Sequence, residues 1–255
     1  MSTFAKYAGY YDLMYRDKDY LGEVDFVSSL LKRHVPGCRT LCELGCGTGK
    51  HAALLAEMGY AVHGVDASVE MLEAAQARVA SLPPETAGRL HFSAGDARTC
   101  RLGNTFDAVL ALFHVVSYQV TNEDLISMFN SAAAHLKSGG VFIFDYWYGP
   151  AVLYEKPTVR VKRMESDAIT VVRVAEPVLD VVQSRVDVNY RISVRDKATG
   201  ATDELQETHR MRYLFTTEIE LLARMSGFRL LDSFEWLTKK EPGSDTWGVC
   251  SVLVK

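Results

Sequence analysis

The chain has 255 residues, of which 48% are hydrophobic and 24% charged, with a formal net charge of −4 at pH 7. That length buries a full core, and the balance excludes a disordered or collagen-like chain. No lysine and arginine run marks a nucleic-acid surface, and no apolar run reaches membrane-span length, so neither partner is expected. The opening "MSTFAKYAGYYDLMY" lacks the basic-then-apolar order of a secretory signal, and a cytoplasmic protein is expected.

In chain order, "LGEVDFVSSLLKRH" places Leu21, Val24, Val27, Leu30 and Leu31 at helical spacing. "CRTLCELG" is a short strand that runs into glycines. "KHAALLAEMG" is a helix with Ala53, Leu54 and Met58 inward, stopped by Gly59. "YAVHGVD" is a second strand ending on Asp66, and Ser68 caps the helix that follows. Strands "RLHFSAGD" and "FDAVLALF" come next, then a helix "NEDLISMFNSAAAHLK" ended by Gly139 and Gly140, then a strand "VFIFDYW". Strand and helix alternating at this interval predict parallel βαβ units in a doubly wound α/β sheet.

After Pro150 the pattern changes. "SRVDVNYRISVR" alternates with Val186, Val188, Tyr190, Ile192 and Val194 on one face, "DKATG" turns the chain, and "DELQETHRMRYLF" returns. This predicts an antiparallel sheet of three or four strands inserted after the fifth strand. A helix "TEIELLARMSG" and strands "FRLLDSFEW" and "WGVCSVLVK" close the chain. The expected organisation is one domain: a helical arm over 1–38, a cofactor-binding core over 39–149, the antiparallel insertion over 150–215, and a closing helix and two strands over 216–255.

Five cysteines are too few, and odd in number, for a disulfide framework. Cys38, Cys42 and Cys46 recur every fourth position. On an extending strand and tight loop, however, they cannot converge on one ion, so packing is expected and no metal.

The stretch "LCELGCGTGKH" carries the chemistry. A P-loop needs a lysine followed by serine or threonine after its last glycine, and that pair is absent here. A dinucleotide fingerprint from Gly45 and Gly47 needs glycine at 50, where Lys50 stands. Glu43 precedes the glycines, Asp66 ends the second strand beside them, and Asp96 ends the third. Carboxylates at three successive strand ends repel a pyrophosphate. They suit a ligand with an amine, a ribose diol and an adenine amine, and S-adenosyl-L-methionine (SAM) has that set.

"CELGCGTGKH", "GVDAS", "GDART" and "FDAVLALFHVVSY" together resemble the ordered motifs of class I SAM-dependent methyltransferases over about 40–147. The resemblance implies a Rossmann-like sheet and SAM as cofactor. It implies that Glu43 and Gly45, with Gly47 in the same loop, meet the methionine end and Asp66 the ribose. Ala67 and Met71 would meet the adenine face, Asp96 and Ala97 the adenine amine, and Leu112 and Phe113 the methionine part. More loosely, the order "YYDLMY", "KDYLGE", "FDYWYGP" and "HRMRYLFT" resembles the nucleotide-linked amino-sugar N-methyltransferases. That likeness assigns Tyr11 and Tyr20 to SAM.

The crevice of such a sheet lies at the strands' carboxyl ends. This puts Tyr146, Trp147 and Tyr148 beside the acceptor, joined by Tyr7 of the tyrosine-rich arm and by Arg210 of the insertion. His114 and Tyr118 are the candidate bases for an acceptor that must lose a proton. The family carries a histidine where Tyr118 stands, and an arginine near the last strand where this chain reads Asp245-Thr246. The looser likeness implies N-methylation of an amino sugar or sugar nucleotide, and that is the expected reaction. O-methylation of a sugar or other metabolite and N-methylation of glycine or a small amine are the alternatives, ahead of a macromolecular acceptor. The insertion is expected to wall the acceptor pocket or to form a homodimer contact.

Overall fold

The computed structural model describes residues 11–255. Helix α1 (Tyr20–His34) leads to β1 (Thr40–Leu44), α2 (Lys50–Glu57), β2 (Ala61–Asp66), α3 (Val69–Ala80), the short α4 (Pro84–Ala87) and β3 (Leu90–Ala94). Then follow β4 (Phe106–Ala111), a 3-10 turn (Val115–Tyr118), α5 (Asn122–Ala134), β5 (Leu136–Tyr148) and α6 (Gly149–Glu155). The insertion is β6 (Arg160–Glu165), β7 (Ile169–Asp180), β8 (Arg185–Asp196) and β9 (Thr202–Leu214). Helix α7 (Thr216–Met225), β10 (Arg229–Glu235) and β11 (Gly248–Val254) close the chain.

Strands β3-β2-β1-β4-β5 run parallel in that spatial order. Strand β11 lies antiparallel beside β5, and β10 antiparallel beside β11. The order reverses between β1 and β4, which opens a crevice at their carboxyl ends. One core, with Phe129, Phe142 and Phe144, packs under α5 and α7; a second, with Leu30, Leu55 and Val141, packs under α1 and α2.

The insertion forms the antiparallel run β6-β7-β8-β9. Its last strand pairs with Trp147 and Tyr148, the final two residues of β5, beyond the Phe144 level where β4 ends. That pairing sets β9 over the crevice. A third apolar cluster, Met14, Met71, Met164, Val171 and Ile192, ties the segment after Tyr11 to α3 and to the insertion.

Several expectations shift. Helix α2 buries Ala52, Ala53, Leu55 and Ala56 and leaves Met58 exposed, and Leu21 of α1 also faces solvent. Helix α5 stops at Ala134, short of the glycines. There the buried His135 donates from Nδ1 to the Ser131 carbonyl (2.8 Å) and accepts at Nε2 from the Leu102 amide (3.0 Å). The glycines fall inside β5 instead, where a Cβ on Gly140 would sit 2.9 Å from the Asp107 carbonyl. Cys42 and Cys46 belong to different cores on opposite faces of the sheet, which explains their spacing as packing.

Candidate active site

The glycine loop is held by backbone. Gly45 and Cys46 donate to the Val65 carbonyl (2.8 and 3.0 Å). Gly45 takes a φ of +73°, and a Cβ there would meet both Val115 γ-carbons at 2.7 Å. Only glycine fits that combination. A Cβ on Gly47 would meet nothing within 4 Å, so the loop turns bare backbone toward open space. Asp66 reads that backbone: Oδ2 accepts from the Gly47 amide (2.7 Å) and Oδ1 from the Ser68 amide (2.9 Å). Burial raises the Asp66 pKa. Each oxygen keeps a second acceptor site, enough for a diol.

These residues open on a cavity of about 1010 Å³. Of the sequence-predicted positions, its wall includes Tyr11, Tyr20, Gly45, Gly47, Asp66, Ala67, Met71, Asp96, Ala97, Leu112, Phe113, Tyr118 and Arg210. Tyr7 lies outside the described residues. Glu43, His114, Tyr146, Trp147 and Tyr148 are not part of that wall.

Each of those five has a physical reason. Tyr146 is fully buried beside Phe144 and Tyr148, because β11 pairs alongside it and β5 continues one residue further than expected. Trp147 packs on Trp247 and His114, and the Tyr148 amide donates to the Trp247 carbonyl (2.9 Å). Phe113 and His114 both adopt positive φ, 67° and 63°, a strained turn for two side-chain-bearing residues. Buried Asp145 holds it, accepting from the His114 amide at 3.1 Å and lying 2.6 Å from His114 Nδ1. His114 thus braces the turn that sets Leu112 and Phe113 on the wall, and is not itself part of that wall.

Glu43 is buried below the loop, with Oε1 3.7 Å from His51 Nδ1 and Oε2 without a hydrogen-bond partner among the described residues. Burial and the Asp66 charge push its pKa up to about 8. The folded protein therefore holds a proton on Glu43 over a range where the unfolded chain, with a carboxyl near 4.5, does not. The associated stability is complete below the unfolded value and is lost as pH rises through the folded one. Glu43→Gln mimics the protonated acid. Thermal unfolding should find the variant and wild type alike near about pH 5 and the variant the more stable near about pH 9. Parallel curves over that range would contradict the assignment.

On the other side of the cavity, Asp96 is bound by Arg98 through Oδ1 (2.9 Å) and Oδ2 (2.5 Å), and Arg98 also reaches Asp124 (2.6 Å). The guanidinium lowers the Asp96 pKa and keeps it a carboxylate. Lys18, which pairs with Glu23, lies 4.1 Å from the Tyr20 ring centroid and 4.4 Å from that of Phe113. Those ring faces thus already serve a cation.

Sequence reasoning missed Arg98, Thr208 and His209 on the wall. The strand signal in "DELQETHRMRYLF" was present, but nothing local in it says that β9 crosses the crevice.

A parallel sheet that reverses beside its first strand, a final antiparallel strand beside the fifth, and a glycine loop clasped by a strand-end aspartate define a class I methyltransferase. Residues 41–140 match the methyltransferase domain model. The chain is 31% identical over 226 residues to dTDP-3-amino-3,4,6-trideoxy-alpha-D-glucopyranose N,N-dimethyltransferase of Streptomyces venezuelae, covering 88% of this chain and 90% of that one. It superposes on the crystal structure of DesVI, also of Streptomyces venezuelae, with TM-score 0.79 and 27% identity over 97% and 98% of the two chains. A SAM-dependent methyltransferase of Clostridium acetobutylicum shares the fold with TM-score 0.81, at 23% identity over 99% of each chain. The chain belongs to the class I SAM-dependent methyltransferases, and SAM is its cofactor. The wall fits that ligand: a glycine backbone open for close approach, a diol-accepting carboxylate, and aromatic faces suited to a sulfonium.

Proposed function

We propose that the enzyme transfers the methyl group of SAM to the amino group of a nucleotide-linked amino sugar. The carrying observation is the reach of the similarity to the amino-sugar dimethyltransferase. It extends well past the methyltransferase domain model, and at 88% of the chain it takes in the insertion that puts Thr208, His209 and Arg210 on the cavity wall.

In this reading Asp66 accepts the ribose hydroxyls, Asp96 and Ala97 meet the adenine amine, and Ala67 and Met71 flank the base. Gly45 and Gly47 admit the methionine part beside Leu112, Phe113, Tyr11 and Tyr20, while Glu43 acts from below through His51. Bound SAM supplies an electrophilic methyl on sulfur. The chain's own contribution is to hold the acceptor nitrogen in line with that methyl in a site closed to water, worth roughly 7–11 kcal/mol. Tyr118 faces the acceptor and Arg210 its phosphates. The insertion thereby walls the acceptor site, and its exposed Val178, Val181 and Val182 offer a face to a second copy. The expected place of action is the cytoplasm; among the described residues no helix is long and apolar enough to cross a membrane.

The test is a methyl-transfer panel of nucleotide-linked amino sugars, their hydroxyl counterparts, free amino sugars and glycine, read by S-adenosylhomocysteine release. Release with the nucleotide-linked amines, and little with the others, is expected. Turnover of the hydroxyl counterparts or of glycine in their place would contradict the proposal.

A further inference from the structure

Three side chains at the β9 side of the cavity, none of them assigned to SAM above, form a chain. Tyr118 ends the 3-10 turn after β4, and its Oη lies 2.8 Å from Nδ1 of His209 on β9. Nε2 of the same ring lies 3.2 Å from Glu207 Oε2. His209 and Glu207 are two residues apart on one strand, so they share a face. The Glu207 side chain is only 8% exposed, and its Oε1 has no hydrogen-bond partner among the described residues.

The partners fix the proton positions. A carboxylate only accepts, so Nε2 carries the ring proton and Nδ1 accepts from the Tyr118 hydroxyl. Burial and the neighbouring Tyr15, Tyr190 and Glu207 raise the Tyr118 pKa, so the phenol stays neutral with a lone pair to spare. Among the described residues, the groups facing the imidazole include Glu207 on its own strand, Tyr118 from the turn and Tyr190 of β8, whose ring centroid is 4.9 Å away. Arg173 of β7 stands behind Tyr190, 5.0 Å from its ring centroid.

We propose that Tyr118, His209 and Glu207 are a proton relay that orients the acceptor amine and removes its proton. Tyr118 is the catalytic residue, because it touches the acceptor; His209 and Glu207 are positioning residues that act through it. The proposal rests on the amine-acceptor reading above. The acceptor nitrogen's lone pair forms the new bond to the methyl carbon as the C–S bond breaks, and that electron pair stays on sulfur in S-adenosylhomocysteine. The nitrogen, now positive, passes its N–H proton to Tyr118 Oη while the phenol's own proton moves to His209 Nδ1. Glu207 balances the imidazolium until the proton leaves to water with the product.

Two measurements test the relay. The first needs no acceptor: 15N spectra of the imidazole rings across pH, in wild type, Tyr118→Phe and Glu207→Gln. A neutral His209 protonated on Nε2 is expected, with its resonances moved by Tyr118→Phe and its uptake of a proton shifted to lower pH by Glu207→Gln. The second is the pH profile of kcat on the accepted amine. His209→Gln and Tyr118→Phe should lower kcat by about 10²-fold with SAM affinity kept, and Glu207→Gln should move the acid limb to lower pH. A His209 signal indifferent to Tyr118→Phe, or an unchanged kcat and profile in His209→Gln, would overturn the relay. If the panel shows no amine turnover, the amino-sugar reading falls on its own, and the ring spectra still decide whether the three groups are coupled.

Discussion

Replacing Asp66 with alanine is expected to weaken SAM binding by about 10²–10⁴-fold in a calorimetric titration. Hydrogen bonds to a charged group are worth roughly 1.5–3 kcal/mol each, and a ribose diol makes two. The carboxylate also anchors the loop that receives the cofactor, through the Gly47 and Ser68 amides. Removing it therefore costs both the direct contacts and the shape of the cradle. Asp66→Asn keeps the volume and one acceptor oxygen, but sets an NH2 group against a backbone amide, so an intermediate loss is expected. A Kd for Asp66→Ala within about twofold of wild type would place the ribose elsewhere.

The second large effect falls on the loop itself. Gly45→Ala forces a Cβ into a left-handed residue, which costs roughly 1–2 kcal/mol. It also sets that Cβ 2.7 Å from both γ-carbons of Val115. Valine is stiff at χ1 and cannot step aside, so backbone must move, at roughly a further 1–3 kcal/mol. Val115 begins the 3-10 turn that carries Tyr118, and the disturbance reaches both halves of the cavity. Chemical denaturation should show a loss of about 2–5 kcal/mol, together with loss of SAM binding. Gly47→Ala is the control. Its φ of +54° brings strain, but its Cβ meets no atom within 4 Å, so the fold should persist while the cofactor, whose space the methyl enters, binds less well. Equal stability of Gly45→Ala and wild type would mean that the loop does not pack on Val115.

The legible parts of the molecule are the ones whose signals are local. Glu43, the glycines, Asp66 and Asp96 each close a short strand, and a doubly wound sheet brings successive strand ends together whatever surrounds them. Ser68 shows its cap by its place before the helix, and the structure uses it, accepting from the Met71 amide. What the sequence hides depends on distant partners. Tyr146 reads as a strand-end aromatic because nothing in "FDYWYGP" announces that β11 pairs alongside it and that β9 takes up the two residues after it. His114 looked like a base until its positive φ turned the ring onto Asp145, an acid 31 residues away. Asp96 reads as an open acceptor, yet Arg98 clasps it. His209 meets Tyr118 across 91 residues of chain. The resembling family carries a histidine at the Tyr118 position, whereas here an imidazole arrives from β9 behind the tyrosine. That departure is visible in the sequence, but its answer is visible only in the fold.

The most direct test of the whole account follows the methyl carbon. The enzyme is incubated with SAM labelled with 13C in its methyl group and a nucleotide-linked amino sugar, and the product is examined by NMR and mass spectrometry. The account predicts that the label appears bonded to the sugar nitrogen, with one equivalent of S-adenosylhomocysteine for each methyl gained. Label on a sugar oxygen, or label retained on SAM with every nucleotide-linked amine, would contradict it.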